Sequence, residues 1–342
     1  MRSINKATIN DVASLAGVSI KTVSRVTNRE PNVRPATRER VERAIKELNY
    51  RPDQSARNLA SHRSHLVGLV YDDPAPSAGY ILRMQEGALR ACKAATSELL
   101  IHPCNYSKRD VGKGLQSLIE EARPAGIIVA APLSNMPKII RTIESTGTPC
   151  VRLSPGDDKG KHFTIATNDR EISAEMTQYL ASLGHTKIAY ITGHPNHKAV
   201  ANRFLGYQDG LKESGLKFSE RLVVAGDNTF GSGEEGALKL LKRKHRPTAF
   251  FAANDDMAVG VLRAANRLGI RVPEDLSVAG FDDITLARQV YPSLTTIRQP
   301  LRYMAERAAE ILINSKNGAS KSGIEVVPAK LQIRESTGPA PS

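Results

Sequence analysis

The sequence predicts an all-α helix-turn-helix segment joined to a larger α/β domain of two lobes. Short helix patterns with a glycine turn occupy the first 50 residues. From residue 66 onward, short apolar strands alternate with amphipathic helices, in two runs separated near residues 162 to 168. Such alternation is typical of a parallel sheet covered by helices on both faces. We therefore expect a first domain at 1–50, a linker at 51–63 and a second domain at 64–342.

The composition limits the class of protein. The chain has 342 residues, of which 40% are hydrophobic, and no apolar run approaches the length of a membrane span. The three cysteines, Cys92, Cys104 and Cys150, are odd in number and lack the paired spacing of metal sites. With no signal-peptide pattern at the N-terminus, we expect reduced thiols, no metal site and a cytoplasmic protein.

Positive charge is concentrated at the N-terminus. The formal net charge is +13, and residues 1–65 contain 13 of the 48 Lys and Arg but six of the 35 acidic residues. A basic excess of this kind attracts polyanions such as nucleic acid. A solvated helical surface would show the same excess, so charge alone leaves both interpretations open.

Three short helices are predicted in the first domain. Thr8, with Asp11 three residues later, has the form of a capping box at the start of the first helix. Gly17 permits the left-handed conformation of a turn, and a second helix is expected over about 20–27. Pro35 begins the third helix, because proline is favoured in a first turn.

The first two helices make a helix-turn-helix, whose second helix enters the major groove of DNA. Val23 and Val26 are spaced to pack against the first helix. The outward face is then left to Lys21, Thr22, Ser24 and Arg25. Arg25 can donate two hydrogen bonds to a guanine edge, while hydroxyls suit phosphate oxygens. The first domain is therefore predicted to bind DNA.

The run TINDVASLAGVSIKTVSRVTN, followed by VRPATRERVERAIKELNYRPDQSARNLA, resembles the lac repressor family of bacterial transcription regulators. The resemblance continues through nearly the whole chain and implies a periplasmic-binding-protein-like, two-lobed effector domain. By this resemblance, the base-reading positions are Ile20, Lys21 and Arg25. The positions suited to DNA backbone contacts are Thr8, Ser19, Thr22, Ser24 and Asn28.

The linker carries a small apolar stripe within RPDQSARNLAS, residues 51 to 61. About two turns of helix are marginal in isolation, so this segment is expected to order only when docked. A leucine here would ordinarily be a core residue. The resemblance instead implies a hinge helix, paired with that of a second subunit in the minor groove, with Ala56 and Leu59 at the DNA. Leu59 would then be the wedge that bends the duplex.

The second domain is predicted to hold a ligand between its lobes. Its strands are HLVGLVY, ELLIHP, GIIVAA and TPCVRL in the first run and KIAYITG, RLVVAG, TAFFAA and LSVAGF in the second. One more strand in LTTIRQP and a helix over about 301–314 return to the first lobe. We expect lobe one at about 64–164 and 296–330, and lobe two at about 165–295. Ligands bind at the carboxyl ends of such strands.

Polar residues follow these strands. Asp72, Asn254 and Asp282 each come after a strand, where a helix cap or turn is the alternative interpretation. The resemblance implies effector contacts at Arg203, Asn254, Asp282 and Gln299. An arginine, two amides and a carboxylate could bind the hydroxyls of a sugar, and a nucleobase is the second candidate.

An aromatic platform for the ligand is harder to place. The chain has no Trp, and the position after Gly226-Asp227, often aromatic in the family, is Asn228. Tyr80 and Phe230 are the available substitutes, with a core role as the alternative for each.

Two other classes of protein fit the sequence less well. The run GSGEEG, residues 231 to 236, satisfies a dinucleotide-binding pattern, but Glu234 and Glu235 would repel a pyrophosphate at the helix start. No catalytic set stands out, which disfavours an enzyme, and the basic first domain disfavours a free solute-binding protein. We predict an effector-responsive regulator without enzymatic activity, cofactor or metal, most simply a repressor that binds a near-palindromic operator as a homodimer. The tail ESTGPAPS has no leucine heptads, so a tail-mediated tetramer is not indicated.

Overall fold

The computed structural model describes residues 7–27, 30–50, 64–73, 78–105, 110–156, 161–315 and 322–341. The chain divides into two compact units, Met1–Ser64 and His65–Ser342. Three residues predicted to contact DNA, Asn28, Ala56 and Leu59, lie outside the described residues, as does the predicted hinge at 51–63.

The first unit is built from three helices: α1 at Ile9–Ala16, α2 at Ile20–Thr27 and α3 at Pro35–Glu47. The capping box at the start of α1 is present. The Thr8 hydroxyl accepts from the Asp11 amide at 3.4 Å, and the Asp11 carboxylate accepts from the Thr8 amide at 2.8 Å. Gly17 ends α1 with φ 61°, as the turn requires. A small core joins the helices through Val12, Ala13, Ala16, Val23, Val26, Val41 and Ala44.

The second unit alternates strands and helices as predicted. Its first part contains β1 Leu66–Asp72, α4 Ala78–Ala94, β2 Glu98–Cys104, α5 Val111–Ala122, β3 Gly126–Val129, α6 Pro137–Ser145, β4 Cys150–Leu153 and β5 Phe163–Ala166. There follow α7 Asp169–Ser182, β6 Ile188–Ile191, α8 Lys198–Glu213, β7 Val223–Val224, α9 Phe230–Leu241, β8 Ala249–Ala252, α10 Asp255–Arg267 and β9 Ser277–Ala279. The last elements are α11 Leu286–Gln289, β10 Thr296–Arg298, α12 Leu301–Asn314, β11 Gly323–Val326 and β12 Lys330–Gln332.

Two sheets define the lobes. Lobe one has strand order β11-β5-β4-β3-β1-β2, and lobe two has order β7-β6-β8-β9, with parallel pairing in both sheets. Helix α12 packs its buried side chains into the core of lobe one, as the sequence predicted. The chain passes between lobes at 166–169, 298–301 and 326–330, where short connections can act as hinges.

The predicted lobe boundary differs from the structure at β10. The sequence pattern assigned 296–330 to lobe one, but Ile297 is fully buried in the core of lobe two. The Asp282 amide donates to the Ile297 carbonyl at 2.8 Å, and β10 pairs antiparallel with β12. The C-terminal segment continues along lobe two, where the Val278 amide donates to the Ser336 carbonyl at 2.8 Å. Pairing between segments so distant in sequence leaves no local signal.

The glycines of GSGEEG have a packing role. A Cβ at Gly233 would lie 2.2 Å from the carbonyl oxygen of Met257, and one at Gly236 would lie 3.0 Å from the Val224 side chain. These glycines let α9 lie directly against α10 and β7. Glu234 on the same helix accepts from Arg267 at 2.7 Å.

Three further features concern the cysteines, the helices and the metal-ligating side chains of the described residues. Cys92, Cys104 and Cys150 are free and buried. Within the described parts of the chain, no helix combines the length and apolarity that crossing a bilayer demands. The same residues contain no group of three or more acidic, His or Cys side chains placed to hold a metal ion.

Candidate functional site

The first unit presents one exposed surface of α2, which we call the reading face: Ile20, Lys21 and Arg25. Ile20 is 50% exposed although it is apolar. Val23 and Val26 on the opposite side are buried against α1 and α3. The amphipathic pattern therefore fixes which face of α2 is free to meet a ligand.

The hydroxyl residues around the reading face partly serve the helix itself. The Ser19 hydroxyl accepts from the Thr22 amide at 3.3 Å and lies 3.0 Å from the Thr22 hydroxyl. Thr22 and Ser24 are half-buried, whereas Ser19 is exposed. Thr8 is engaged in the capping box, where its hydroxyl donates to the Asp11 carboxylate at 2.8 Å. These hydrogen bonds lower the pKa of Asp11.

Arg25 is held at the surface by a loose ion pair. Its Nε lies 3.6 Å from Glu30, and both side chains are nearly half exposed. Exposed pairs of this kind contribute little stability, so the guanidinium is free to exchange Glu30 for a base edge or a phosphate.

The second unit has a pocket between its two lobes with about 450 Å³ of space, including its open mouth. Lobe one lines it with the last residue of β1, with residues following β3 and with the start of α4. Lobe two lines it with residues at the carboxyl ends of its strands and on α8. The lining residues are Asp72, Tyr80, Ile81, Ala131, Pro132, His197, Arg203, Asn228, Asn254 and Asp282. The structure thus brings six of the eight predicted effector residues to one cavity.

Arg203 is the most constrained side chain of the pocket. It is 2% exposed, its Nε donates to Asp169 at 3.3 Å, and its guanidinium also donates to the Ala253 carbonyl at 2.6 Å. Its guanidinium carbon lies 3.7 Å from the centre of the Phe281 ring, a cation–π contact. These partners hold the guanidinium in one orientation at the pocket wall.

Gln299 reaches the pocket through Asp282. Its amide nitrogen donates to the Asp282 carboxylate at 2.5 Å, while Gln299 itself does not line the cavity. Asp282 has φ 121°, a strained conformation for a residue with a side chain, and such strain concentrates at functional sites. Burial raises the pKa of Asp282 to about 7, although Arg203 opposes the shift.

Two amides line the lobe-two wall. The Asn254 side chain accepts from the Met257 amide at 2.9 Å as the N-cap of α10 and donates to the Asn228 carbonyl at 2.9 Å. The Asn228 side chain accepts from the His194 amide at 3.3 Å, and its own φ is 71°. Asn254 is therefore both a helix cap and a pocket residue.

The opposite wall contributes Asp72 and Tyr80, both nearly buried. Burial raises the pKa of Asp72 to about 6 and raises the pKa of Tyr80 further above its ordinary value. Phe230, the other aromatic candidate, begins α9, is 40% exposed and is not among the residues lining the pocket.

Two buried polar atoms of residues that line the pocket make no hydrogen bond to any described residue: the Tyr80 hydroxyl and His197 Nε2. Unpaired buried polar atoms cost free energy, so a polar ligand that paired with them would be favoured. Burial lowers the pKa of His197 to about 3, which keeps its imidazole neutral.

The sequence did not single out every residue of the site. His197 lies at the end of the loop before α8 and lines the pocket. Ala131 and Pro132 follow β3, and Asp169 pairs with Arg203 from α7. The strand-end rule could have pointed to Ala131 and Pro132, but Asp169 and His197 had no comparable signal.

A helix-turn-helix unit carried by the same chain as a two-lobed domain with a polar interlobe pocket defines a ligand-responsive DNA-binding regulator. Comparison with known proteins agrees: the profile described as "Bacterial regulatory proteins, lacI family" matches residues 8–53, and "Periplasmic binding protein-like domain" matches residues 177–337. The chain belongs to the lacI family of bacterial regulatory proteins.

Relatives match nearly the whole chain. The ribose operon repressor of Escherichia coli (strain K12) is 34% identical over 90% of this chain and 92% of its own length. The regulator GalR of the same strain is 35% identical over 90% of this chain and 88% of its own. Among solved structures, the lac repressor dimer bound to operator and the anti-inducer ONPF is 28% identical with a TM-score of 0.84, over 98% of this chain and all of that one. These relatives are transcription regulators, and this chain is a DNA-binding transcription regulator rather than an enzyme.

Proposed function

We propose that the protein is an effector-responsive repressor that binds a near-palindromic operator as a homodimer and acts in the cytoplasm. The observation that carries the proposal is the interlobe pocket. It combines an immobilised Arg203 with amide and carboxylate side chains at strand ends, and it contains buried polar atoms that have no hydrogen-bond partner among the described residues. The names of the relatives, a ribose operon repressor and a lac repressor dimer on operator, support repression and dimeric DNA binding.

The reading face would supply sequence recognition. Lys21 and Arg25 can donate to guanine edges in the major groove, and Ile20 can contact a thymine methyl group. The hydroxyls of Thr8, Ser19, Thr22 and Ser24, together with Asn28, would contact the DNA backbone. Ala56 and Leu59 would lie in the minor groove, with Leu59 as the wedge.

The pocket would take a sugar. Arg203, Asn228 and Asn254 offer donors, Asp72 and Asp282 offer acceptors, and Gln299 would position Asp282, so adjacent hydroxyls could be paired on both sides of a ring. A relative solved as a CelR–cellobiose complex, 30% identical with a TM-score of 0.73 over 97% of this chain and all of that one, supports this class of ligand. Closing the lobes on a sugar would change the spacing between the two hinge helices at 51–63, one from each subunit of the dimer. The DNA affinity would change as a result.

Operator binding is tested by selecting bound duplexes from a random-sequence library with the full-length protein. The expected product is a near-palindromic sequence whose affinity falls steeply as salt concentration rises. Arg25→Gln should weaken binding to that sequence about 5- to 100-fold, the cost of one lost base contact. Arg43→Gln removes the same charge from the exposed surface of α3 and should cost much less. Failure to enrich any sequence at low salt would contradict operator binding.

The effector is tested by thermal shift with a panel of monosaccharides and disaccharides, because a ligand of the folded state raises the melting temperature. A stabilising sugar should then change operator affinity in one direction, either up or down. Asn254→Ala should abolish the shift. Stabilisation by nucleobases and by no sugar would contradict the sugar assignment while leaving the DNA proposal intact.

The hinge is tested by Leu59→Ala on the selected duplex. Loss of most DNA bending, measured by fluorescence energy transfer between labelled duplex ends, is the expected result. Unchanged bending would rule out Leu59 as the wedge.

A further inference from the structure

Lobe two has a second cavity at the opposite edge of its sheet from the effector pocket. The pocket residues follow the carboxyl ends of the lobe-two strands, whereas this cavity is lined at their amino ends. Its lining comes from the residue before β6, the turn before β7 and the loop before β8. The lining residues are Lys187, Ser219, Arg221, Leu222, Arg243, Lys244, His245 and Pro247. We call it the basic cavity.

Its positive charge is not compensated by carboxylates. In the described parts of the chain, none of Lys187, Arg221, Arg243 and Lys244 forms an ion pair. Three other surface arginines of this lobe are paired with acids: Arg170 with Asp209, Arg267 with Glu234 and Arg271 with Asp275. Four neighbouring unpaired cations repel one another, so an anion bound among them would be stabilised.

The cavity is concave and open to solvent, its basic side chains are exposed, and hydrogen bonds tie its loops together. The Arg243 guanidinium donates to the Arg221 carbonyl at 2.7 Å, which ties the loop before β8 to the turn before β7. The Thr248 amide donates to the Lys187 carbonyl at 3.1 Å, which ties that loop to β6. Leu222 and Pro247 add apolar surface, and the space measures about 830 Å³ including its open mouth. That size suits a small molecule.

We propose that the basic cavity binds a small polyphosphate-bearing anion, a class of ligand separate from the sugar of the interlobe pocket. Lysine ammonium groups and arginine guanidinium groups are the side chains that bind phosphoryl oxygens, and the Ser219 hydroxyl adds a donor. The apolar wall formed by Leu222 and Pro247 can contact a sugar or base that carries the phosphates. A ligand bound in the basic cavity would contact lobe two at the edge of its sheet opposite the effector pocket.

Calorimetric titration of the full-length protein with inorganic tripolyphosphate tests the site. The triple variant Lys187→Gln, Arg243→Gln, Lys244→Gln should bind at least tenfold more weakly than the wild type. The matched control Arg170→Gln, Arg267→Gln, Arg271→Gln removes the same charge from the same lobe and should retain affinity. Both variants keep the basic first unit, so any binding of tripolyphosphate to that unit contributes equally to the two titrations.

Hydrogen exchange locates the ligand independently of affinity. Tripolyphosphate should protect amides at 219–222 and 243–246 in the control variant but not in the triple variant. ATP and a hexose bisphosphate, compared with tripolyphosphate, distinguish a nucleotide from a phosphorylated sugar as the carrier. Equal weakening in both variants, or no protection of these segments, would overturn the proposal. So would a triple variant that keeps its tripolyphosphate affinity and loses affinity for duplex DNA.

Discussion

The guanidinium of Arg203 lies 3.6 Å from the carboxylate of Asp282, and both side chains are more than nine-tenths buried. Asp169 approaches the same guanidinium from α7. One cation therefore pairs with two buried carboxylates. Burial disfavours the state in which both carboxylates are ionised. Accordingly, the pKa of Asp169 and the pKa of Asp282 are both raised, chiefly by burial. This network joins the start of α7, helix α8 and the end of β9 at the pocket wall.

Removing the cation should be costly. Arg203→Gln leaves Asp169 and Asp282 without their shared partner, and breaking a buried ion pair costs about 3–5 kcal/mol. We expect the free energy of unfolding of the second unit, measured by urea denaturation at pH 7, to fall by about that amount.

The exposed pair between Arg170 and Asp209 provides the control. The Arg170 side chain is 52% exposed, so Arg170→Gln should cost about 0–1 kcal/mol. If the two variants are equally stable, the buried network does not contribute as described.

Asp72 should make stability depend on pH. Its pKa is raised by burial to about 6, so the folded state binds its proton more tightly than the unfolded state. The penalty for ionising it is absent below about pH 4, grows as the pH rises, and is complete above about pH 6. Asp72→Asn should therefore stabilise the protein at pH 8 by about 3 kcal/mol and by much less near pH 4.5.

Urea unfolding at the two pH values checks this prediction. Asp275→Asn is the comparison, because the pKa of Asp275 is lowered by Arg271 to about 2. That variant should gain no stability at pH 8. A stabilisation by Asp72→Asn that is the same at both pH values would show that its charge is not the cause.

Local patterns predicted much of this fold, and long-range contacts limited the rest. Helix α2 spans Ile20–Thr27 and α12 spans Leu301–Asn314, the predicted ranges, because apolar spacing is encoded within each helix. Strand β10 was assigned to the wrong lobe because its pairing with β12 and Asp282 depends on distant segments.

The same limit applied to the pocket. Asp72, Asn254 and Asp282 could be chosen because strand ends of parallel sheets are predictable. His197 lines the cavity only because α8 is packed where it is, and Phe230 lies outside the cavity for the same kind of reason. Neither position has a signature in sequence.

Helix α8 should tolerate no side chain where it crosses α7. A Cβ at Gly206 would lie 2.1 Å from the carbonyl oxygen of Arg170, a backbone atom that cannot move alone. Gly206→Ala should reduce the free energy of unfolding by about 1–3 kcal/mol. In contrast, a Cβ at Gly114 in α5 would meet no described atom within 4 Å, so Gly114→Ala should add about 0.5–1 kcal/mol. A lower urea midpoint for Gly206→Ala and a higher one for Gly114→Ala, each relative to the wild type, would confirm the close approach of α7 and α8.

The first unit should lose its fold through a single core substitution. Val23 is fully buried in a core of seven small side chains, so Val23→Ala should cost about 2 kcal/mol in a unit with little stability to spare. We expect loss of duplex binding together with an unchanged thermal transition of the second unit. Leu15→Ala, at a side chain 47% exposed on α1, should leave helix content near the wild-type value. Circular dichroism at 222 nm and fluorescence anisotropy with labelled duplex measure the two effects. Full duplex affinity in Val23→Ala would mean that the reading face does not depend on this core.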